Sequence, residues 1–199
     1  MLKAIFFDND GVISGNGFVT AVAQYEQENN IPSGEFYKVV HDLPAWQDFS
    51  LGLISETEYL DRCRANNPNG YPFKTERYLE LLDMSDAVNV EVVALIKELS
   101  PKYILGIVSN YPKEWFERFL SKTGLGVYLK VQAFSGKLHV RKPSKEIFQA
   151  ALDMAGVSGS EAVYIDDRPE RVDGAKELGI KVIMFDGDVN KLKQTLISF

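Results

Sequence analysis

The sequence predicts an α/β fold: a parallel-sheet, Rossmann-like core in three layers (α/β/α) with an inserted helical cap domain. Three observations carry that expectation. Short apolar runs at residues 2–7, 103–108, 131–134, 162–165 and 180–185 each end in a polar or glycine-containing cluster, as buried strands do. Helix-like segments separate the second run from the third and each later run from the next, which is the pattern of a parallel sheet covered on both sides. Between the first two runs lies a long stretch that carries helix-like segments and no convincing strand. The expected division is a core made of residues 1–15 and 84–199, and a helical module made of residues 16–83.

The elements follow in order. Residues 2–7 are a short apolar run that stops at Asp8-Asn9-Asp10-Gly11. Three glycines within residues 11–17 make the connection turned or flexible. Residues 18–29 suit a helix with Val22 and Tyr25 inward, and Phe36, Val39 and Val40 are spaced for one face of the next. Ser55 and Glu58 resemble a capping box at the start of a helix that runs to about Ala65 and stops before the breaker Asn66-Asn67-Pro68-Asn69-Gly70. Tyr78, Leu81 and Leu82 mark another helix. Val92, Leu95, Ile96 and Leu99 fall at helical spacing, and Pro101 ends that segment. The run at 103–108 ends in Ser109-Asn110. A helix over 112–122 closes at Gly124. Pro143 and Ser144 open a helix whose face is Phe148, Ala151, Leu152 and Ala155. The run at 162–165 ends in Asp166-Asp167 and is followed by a helix over 168–178. A last strand at 180–185 and a last helix at 189–197 complete the chain.

Composition narrows the function. The chain has 199 residues, 45% of them hydrophobic and 25% charged, ordinary values for a globular protein. A net charge of −6 speaks against a nucleic-acid or anionic-membrane surface. The single cysteine, Cys63, allows no internal disulfide and suits a reducing compartment. There is no signal-peptide pattern at the start and no apolar run near the ~18 residues of a membrane helix. The expectation is a cytoplasmic protein with no nucleic-acid and no membrane partner. The sequence assigns no oligomeric state.

The acidic pair Asp8 and Asp10 is the first chemical signal. Two carboxylates at the tip of a buried strand repel each other and are costly to desolvate, and a divalent cation is the natural compensation. In an open parallel sheet, ligands bind beyond the carboxyl ends of the strands. That edge also receives Ser109 and Asn110 from the second run and Asp166 and Asp167 from the fourth, and Lys142 is in reach of it. Such a set suits phosphoryl transfer. One aspartate serves as nucleophile and a second as general acid and base. Mg²⁺ is held by carboxylates, and a serine and a lysine receive the phosphate charge. A nearby metal and lysine are expected to depress the nucleophile's pKa.

Four motifs in order, Phe7-Asp8-Asn9-Asp10-Gly11-Val12, Ile107-Val108-Ser109-Asn110, Arg141-Lys142-Pro143 and Tyr164-Ile165-Asp166-Asp167, resemble those of the haloacid dehalogenase-like (HAD) hydrolase superfamily. The resemblance implies Asp8 as nucleophile and metal ligand, and Asp10 as general acid/base and metal ligand through its carbonyl. It implies Ser109 and Asn110 at the phosphate, Lys142 between nucleophile and phosphate, Asp167 on Mg²⁺, and Asp166 on it through water or at longer range. The presence of Asp10 implies phosphate chemistry rather than dehalogenation, on a small phosphorylated metabolite such as a sugar phosphate. The segment at 16–83 resembles the small helical cap of that superfamily. Tyr37, His41, Trp46 and Arg62 are candidates for substrate contact, whereas His139 and Cys63 read as surface and packing residues. A phosphomutase and a catalytically silent binding protein on the same fold remain as alternatives.

Overall fold

The computed structural model describes residues 1–85 and 87–199. Five parallel strands form one sheet: β1 (Ala4–Phe7), β2 (Ile104–Ser109), β3 (Leu129–Phe134), β4 (Ala162–Asp166) and β5 (Lys181–Met184), in the order β3-β2-β1-β4-β5. The first strand is therefore the central one. The chain winds outward from it on one side and then returns to wind outward on the other, which places a crevice at its tip.

Side-chain alternation sorts the strands onto two cores. Ile5, Phe7, Leu105, Ile107, Val163 and Ile165 face one core, which also takes in residues of α6 (Val90–Leu99), α7 (Lys113–Thr123) and α11 (Val189–Ile197). Ala4, Phe6, Val108, Val131 and Tyr164 face the other, against the short α8 (Ser135–Leu138), α9 (Lys145–Ala155) and α10 (Asp173–Glu177). These are the three expected layers. The helix expected over 112–122 is α7, with Pro112 at its cap position, and it stops at Gly124, whose φ of +66° suits a residue without a Cβ.

Among the described residues, five helices lie between β1 and α6: α1 (Gly17–Glu28), α2 (Glu35–Val40), α3 (Pro44–Ser50), α4 (Glu56–Ala65) and α5 (Thr75–Ser85). Val22, Tyr25, Phe36, Val39, Val40, Tyr78, Leu81 and Leu82 are all buried, as their spacing predicts. The rings of Tyr25 and Phe36 stack at 4.3 Å, and Tyr78 meets Phe36 edge-on at 5.4 Å. The chain leaves the sheet and returns to it side by side: Gly15 N–H donates to Ala87 O (3.1 Å) and Asn89 N–H to Ile13 O (2.8 Å).

Several details differ from the sequence pattern. Ser55 does cap α4, accepting from Glu58 N–H at 3.2 Å, but the Glu58 carboxylate turns to Arg62 (2.6 Å). Pro143 sits one residue before the Ser144 cap position, and α9 begins at Lys145. The helix expected over 168–178 is split into a 3₁₀ turn (Pro169–Arg171) and the short α10. Asp166 accepts the Arg168 N–H at 2.8 Å, which turns the chain at once, and Pro169 has no N–H to extend a helix backward. Helix α3, which opens with Pro44 at its first position, was not marked by the apolar spacing.

Candidate active site

Three polar groups of the site sit where strands end. Asp8 directly follows β1, and its N–H continues the ladder to Ile165 O at 2.8 Å. Ser109 and Asp166 are the last residues of the two flanking strands. All three are buried, as is Lys142, which is only 2% exposed.

Lys142 is the junction. Its Nζ lies 2.8 Å from Asp8 Oδ2, 2.9 Å from Asp166 Oδ2 and 2.7 Å from the Tyr164 hydroxyl. The Tyr164 hydroxyl also bonds Asp166 Oδ2 and lies 3.2 Å from Val108 O. Tyr164 and Asp166, two apart on one strand, point the same way. Tyr164 belongs to the fourth motif, and its contact with the lysine, 22 residues away in the chain, comes from the fold. Asn110 fixes the lysine from behind: its Oδ1 accepts Lys142 N–H at 2.7 Å and its Nδ2 donates to Lys142 O at 3.1 Å. Its side chain is thus committed to positioning Lys142.

One oxygen from each of Asp8, Asp166 and Asp167 lies within 4.8 Å of the others, a grouping that suits a cation. Asp167 Oδ1 is buried without a hydrogen-bond partner. A buried carboxylate oxygen with no donor is costly, and a cation would satisfy it. An all-oxygen donor set of this charge fits Mg²⁺. Gly11 makes the approach possible: at φ +84°, a Cβ there would stand 2.2 Å from Asp167 Oδ2. Asp10, in the same turn, accepts from Ser14 Oγ at 3.2 Å and faces the pocket with Asp8.

The electrostatics follow from burial. Desolvation pushes the Asp8 pKa up, and the Asp166 charge adds to this; the pull of Lys142 does not overcome them. The expected depression of Asp8 by lysine and metal together is thus not achieved by the lysine alone. At Asp166 desolvation acts upward too, but Lys142 and the Tyr164 hydroxyl outweigh it and the pKa is lowered. Asp167 is raised by desolvation and then by the charges of Asp8 and Asp166. Asp8 and Asp166 share one lysine, and Asp167 has only Arg168 at 3.9 Å, so the carboxylate cluster is short of positive charge.

The pocket above these groups is walled by the helical segment. Phe18, Tyr37, His41 and Trp46 line it, with Trp115 from α7 and Arg141, Arg168 and Arg171 from the loops beside the site. Tyr37 and His41 stack at 4.6 Å and Phe18 meets Trp46 at 5.1 Å. Arg62 stands elsewhere, bound to Asp48 (2.8 Å) and Glu58 (2.6 Å). His139 bonds Leu51 O through Nδ1 at 2.7 Å, and Cys63 is buried as a packing residue. The sequence assigns no role to Phe18, Trp115 or the three arginines, although Arg141 stands inside one of the four motifs.

A family model described as haloacid dehalogenase-like hydrolase matches residues 2–179. The chain is 27% identical over 206 residues to the glyceraldehyde 3-phosphate phosphatase of Pyrococcus abyssi, covering 93% of this chain and 82% of that protein. It is 25% identical over 205 residues to acyl-CoA dehydrogenase family member 10 of Mus musculus, covering 96% of this chain but spanning only 18% of that much longer protein. In structure it is similar to a HAD family enzyme from Bacteroides thetaiotaomicron in complex with magnesium and inorganic phosphate, with a TM-score of 0.69 and 21% identity over 94% of this chain and 96% of that one. That likeness shows the same fold.

Proposed function

Because the chain belongs to the haloacid dehalogenase-like hydrolase family, we propose that it is a Mg²⁺-dependent phosphomonoesterase acting on a small phosphorylated metabolite through an aspartyl-phosphate. The reading rests on one observation above all: the Asp8 carboxylate is held by Lys142 at 2.8 Å, and oxygens of Asp8, Asp166 and Asp167 lie within 4.8 Å of one another. Asp8, Asp167 and the Asp10 carbonyl would hold Mg²⁺, with Asp166 at longer range. When bound, the ion supplies electrostatic stabilisation of the charge on the phosphoryl oxygens.

The chain's own residues divide the remaining work. Asp8 Oδ attacks phosphorus as the bond from phosphorus to the substrate oxygen breaks. Asp10 gives that oxygen a proton, and the alcohol leaves. Asp10 then takes a proton from water as the water oxygen attacks phosphorus, releasing inorganic phosphate and restoring Asp8. Lys142 holds the nucleophile in place and meets the charge gathering on the phosphoryl group. Ser109 binds a phosphoryl oxygen, and Asn110 and Tyr164 hold Lys142 in register. The segment at 16–83 acts as a cap that brings its aromatic wall over the site and excludes water. Its last helix continues two residues past that boundary, to Ser85.

Phosphate release from 4-nitrophenyl phosphate in the presence of Mg²⁺ tests this reading. Asp8→Asn and excess EDTA each abolish turnover. Undiminished turnover in either condition removes the mechanism.

A further inference from the structure

The pocket holds more positive charge than the hydrolytic steps use. Of the chain's arginines, Arg62, Arg64, Arg77 and Arg118 each bond an aspartate or glutamate at 2.6–2.8 Å. Arg168 lies 3.9 Å from Asp167. Among the described residues, no carboxylate forms an ion pair with Arg141 or Arg171. This occurs in a chain where acids outnumber bases 28 to 22. Both side chains are partly buried and both line the pocket that contains Asp8.

The two guanidiniums line the same pocket and carry like charge. Burial, then the charge of Arg171, pulls the Arg141 pKa down. The charges of Arg168 and Arg171 reach the Tyr37 hydroxyl as well, against the effects of burial and Asp42. The charge of Asp42 comes from the helical segment, where this residue is exposed and engaged with His41 Nδ1 at 3.1 Å. Like charges gathered in a half-buried wall are unfavourable until an anion arrives, and the guanidinium fork matches carboxylate and phosphate oxygens.

We propose that Arg141 and Arg171 form a second anion subsite, and that the preferred substrate is a phosphomonoester bearing a further carboxylate or phosphate remote from the scissile bond. The identity of the first group rests on the phosphatase reading; the subsite itself rests on the two arginines. Lys142 serves the phosphoryl group being transferred, and the arginine pair serves the far end of the molecule.

Matched substrates test the proposal. Phosphate release is measured for glycerol 3-phosphate, 3-phosphoglycerate and glycerol 1,3-bisphosphate, and for the longer pair phenyl phosphate and 4-carboxyphenyl phosphate. At least one anionic member exceeds its neutral counterpart in kcat/KM by about 10- to 100-fold, the range of one charge-assisted hydrogen bond. The carboxylate and phosphate arms identify which anion is preferred. In Arg171→Gln, and in Arg141→Gln if it folds, that ratio falls toward one while the unfolding temperature is kept. Calorimetric titration of Asp8→Asn with the same compounds reads the affinity ratio without turnover. An affinity preference for the anionic members with no hydrolysis of any compound sinks the phosphatase reading and leaves the subsite standing. Ratios near one in both assays, or a preference unchanged in Arg171→Gln, overturn the subsite.

Discussion

Replacing Lys142 by Met keeps most of the side chain's volume and removes its charge. Asp8 and Asp166, 6% and 0% exposed, then lose their shared cation at 2.8 and 2.9 Å. Stranding one side of a buried ion pair costs about 3–5 kcal/mol. For a chain of this length that lowers the unfolding temperature by roughly 6–20 °C. The pH dependence separates this cause from a general packing defect. In the wild type, the lowered Asp166 pKa contributes stability that is present above its unfolded value and lost as pH falls through its folded value. In the variant that contribution is gone, and both carboxylates resist ionisation, so stability now falls as pH rises above their unfolded values. The deficit relative to wild type is therefore largest near neutrality and shrinks toward pH 4. Urea unfolding in EDTA at several pH values measures it. A deficit independent of pH, or none at pH 7, refutes the reasoning.

Asp10→Asn lowers kcat by about 10²–10⁴-fold on alkyl phosphates, and by less on 4-nitrophenyl phosphate, whose leaving group needs little protonation. Steady-state kinetics on both substrates checks this; equal losses contradict the acid role. Mg²⁺ at a hundred times its dissociation constant stabilises the fold by about 2.7 kcal/mol. Asp167→Ala removes that increment in thermal melts. Because burial holds the pKa values of Asp8 and Asp167 up, lowering the pH protonates the ligands and the Mg²⁺ increment shrinks; an increment that grows on acidification counts against this ligand set. Burial pushes the Cys63 thiol up to about 12. Its contribution to stability is whole below the unfolded pKa, near 9, and declines as pH rises from there toward the folded value. An aromatic disulfide reagent at pH 8 should leave the native thiol unmodified and react with it in denaturant; rapid reaction in the native state contradicts the burial.

Much of the site was legible because its residues lie at the ends of apolar runs. A parallel sheet brings all its carboxyl ends to one edge, so locating the runs at 2–7, 103–108 and 162–165 was enough to bring Asp8, Ser109 and Asp166 together. Helix faces such as Val92, Leu95 and Ile96 were legible for a similar reason, since burial on one side leaves a period in the chain. The division of labour within the site was less legible. Asn110 reads as a phosphate ligand by position, but its amide closes on both backbone groups of Lys142, a pairing 32 residues apart that no local pattern encodes. The break after Asp166 depends on a side chain capturing Arg168 N–H, which competes with helix formation in a way that periodicity does not register. Arg141 and Arg171 are conspicuous only after the folded chain has paired the other arginines.

In the proposed reaction a carboxylate oxygen of Asp8 receives the phosphoryl group. Acid quenching during turnover of 4-nitrophenyl phosphate with Mg²⁺, followed by peptide mass spectrometry, reads this directly. The phosphoryl group should appear on Asp8 and on no residue of the Asp8→Asn variant. Steady turnover with the label elsewhere, or with Asp8 unlabelled while the Asp8→Asn variant keeps its rate, would contradict the account.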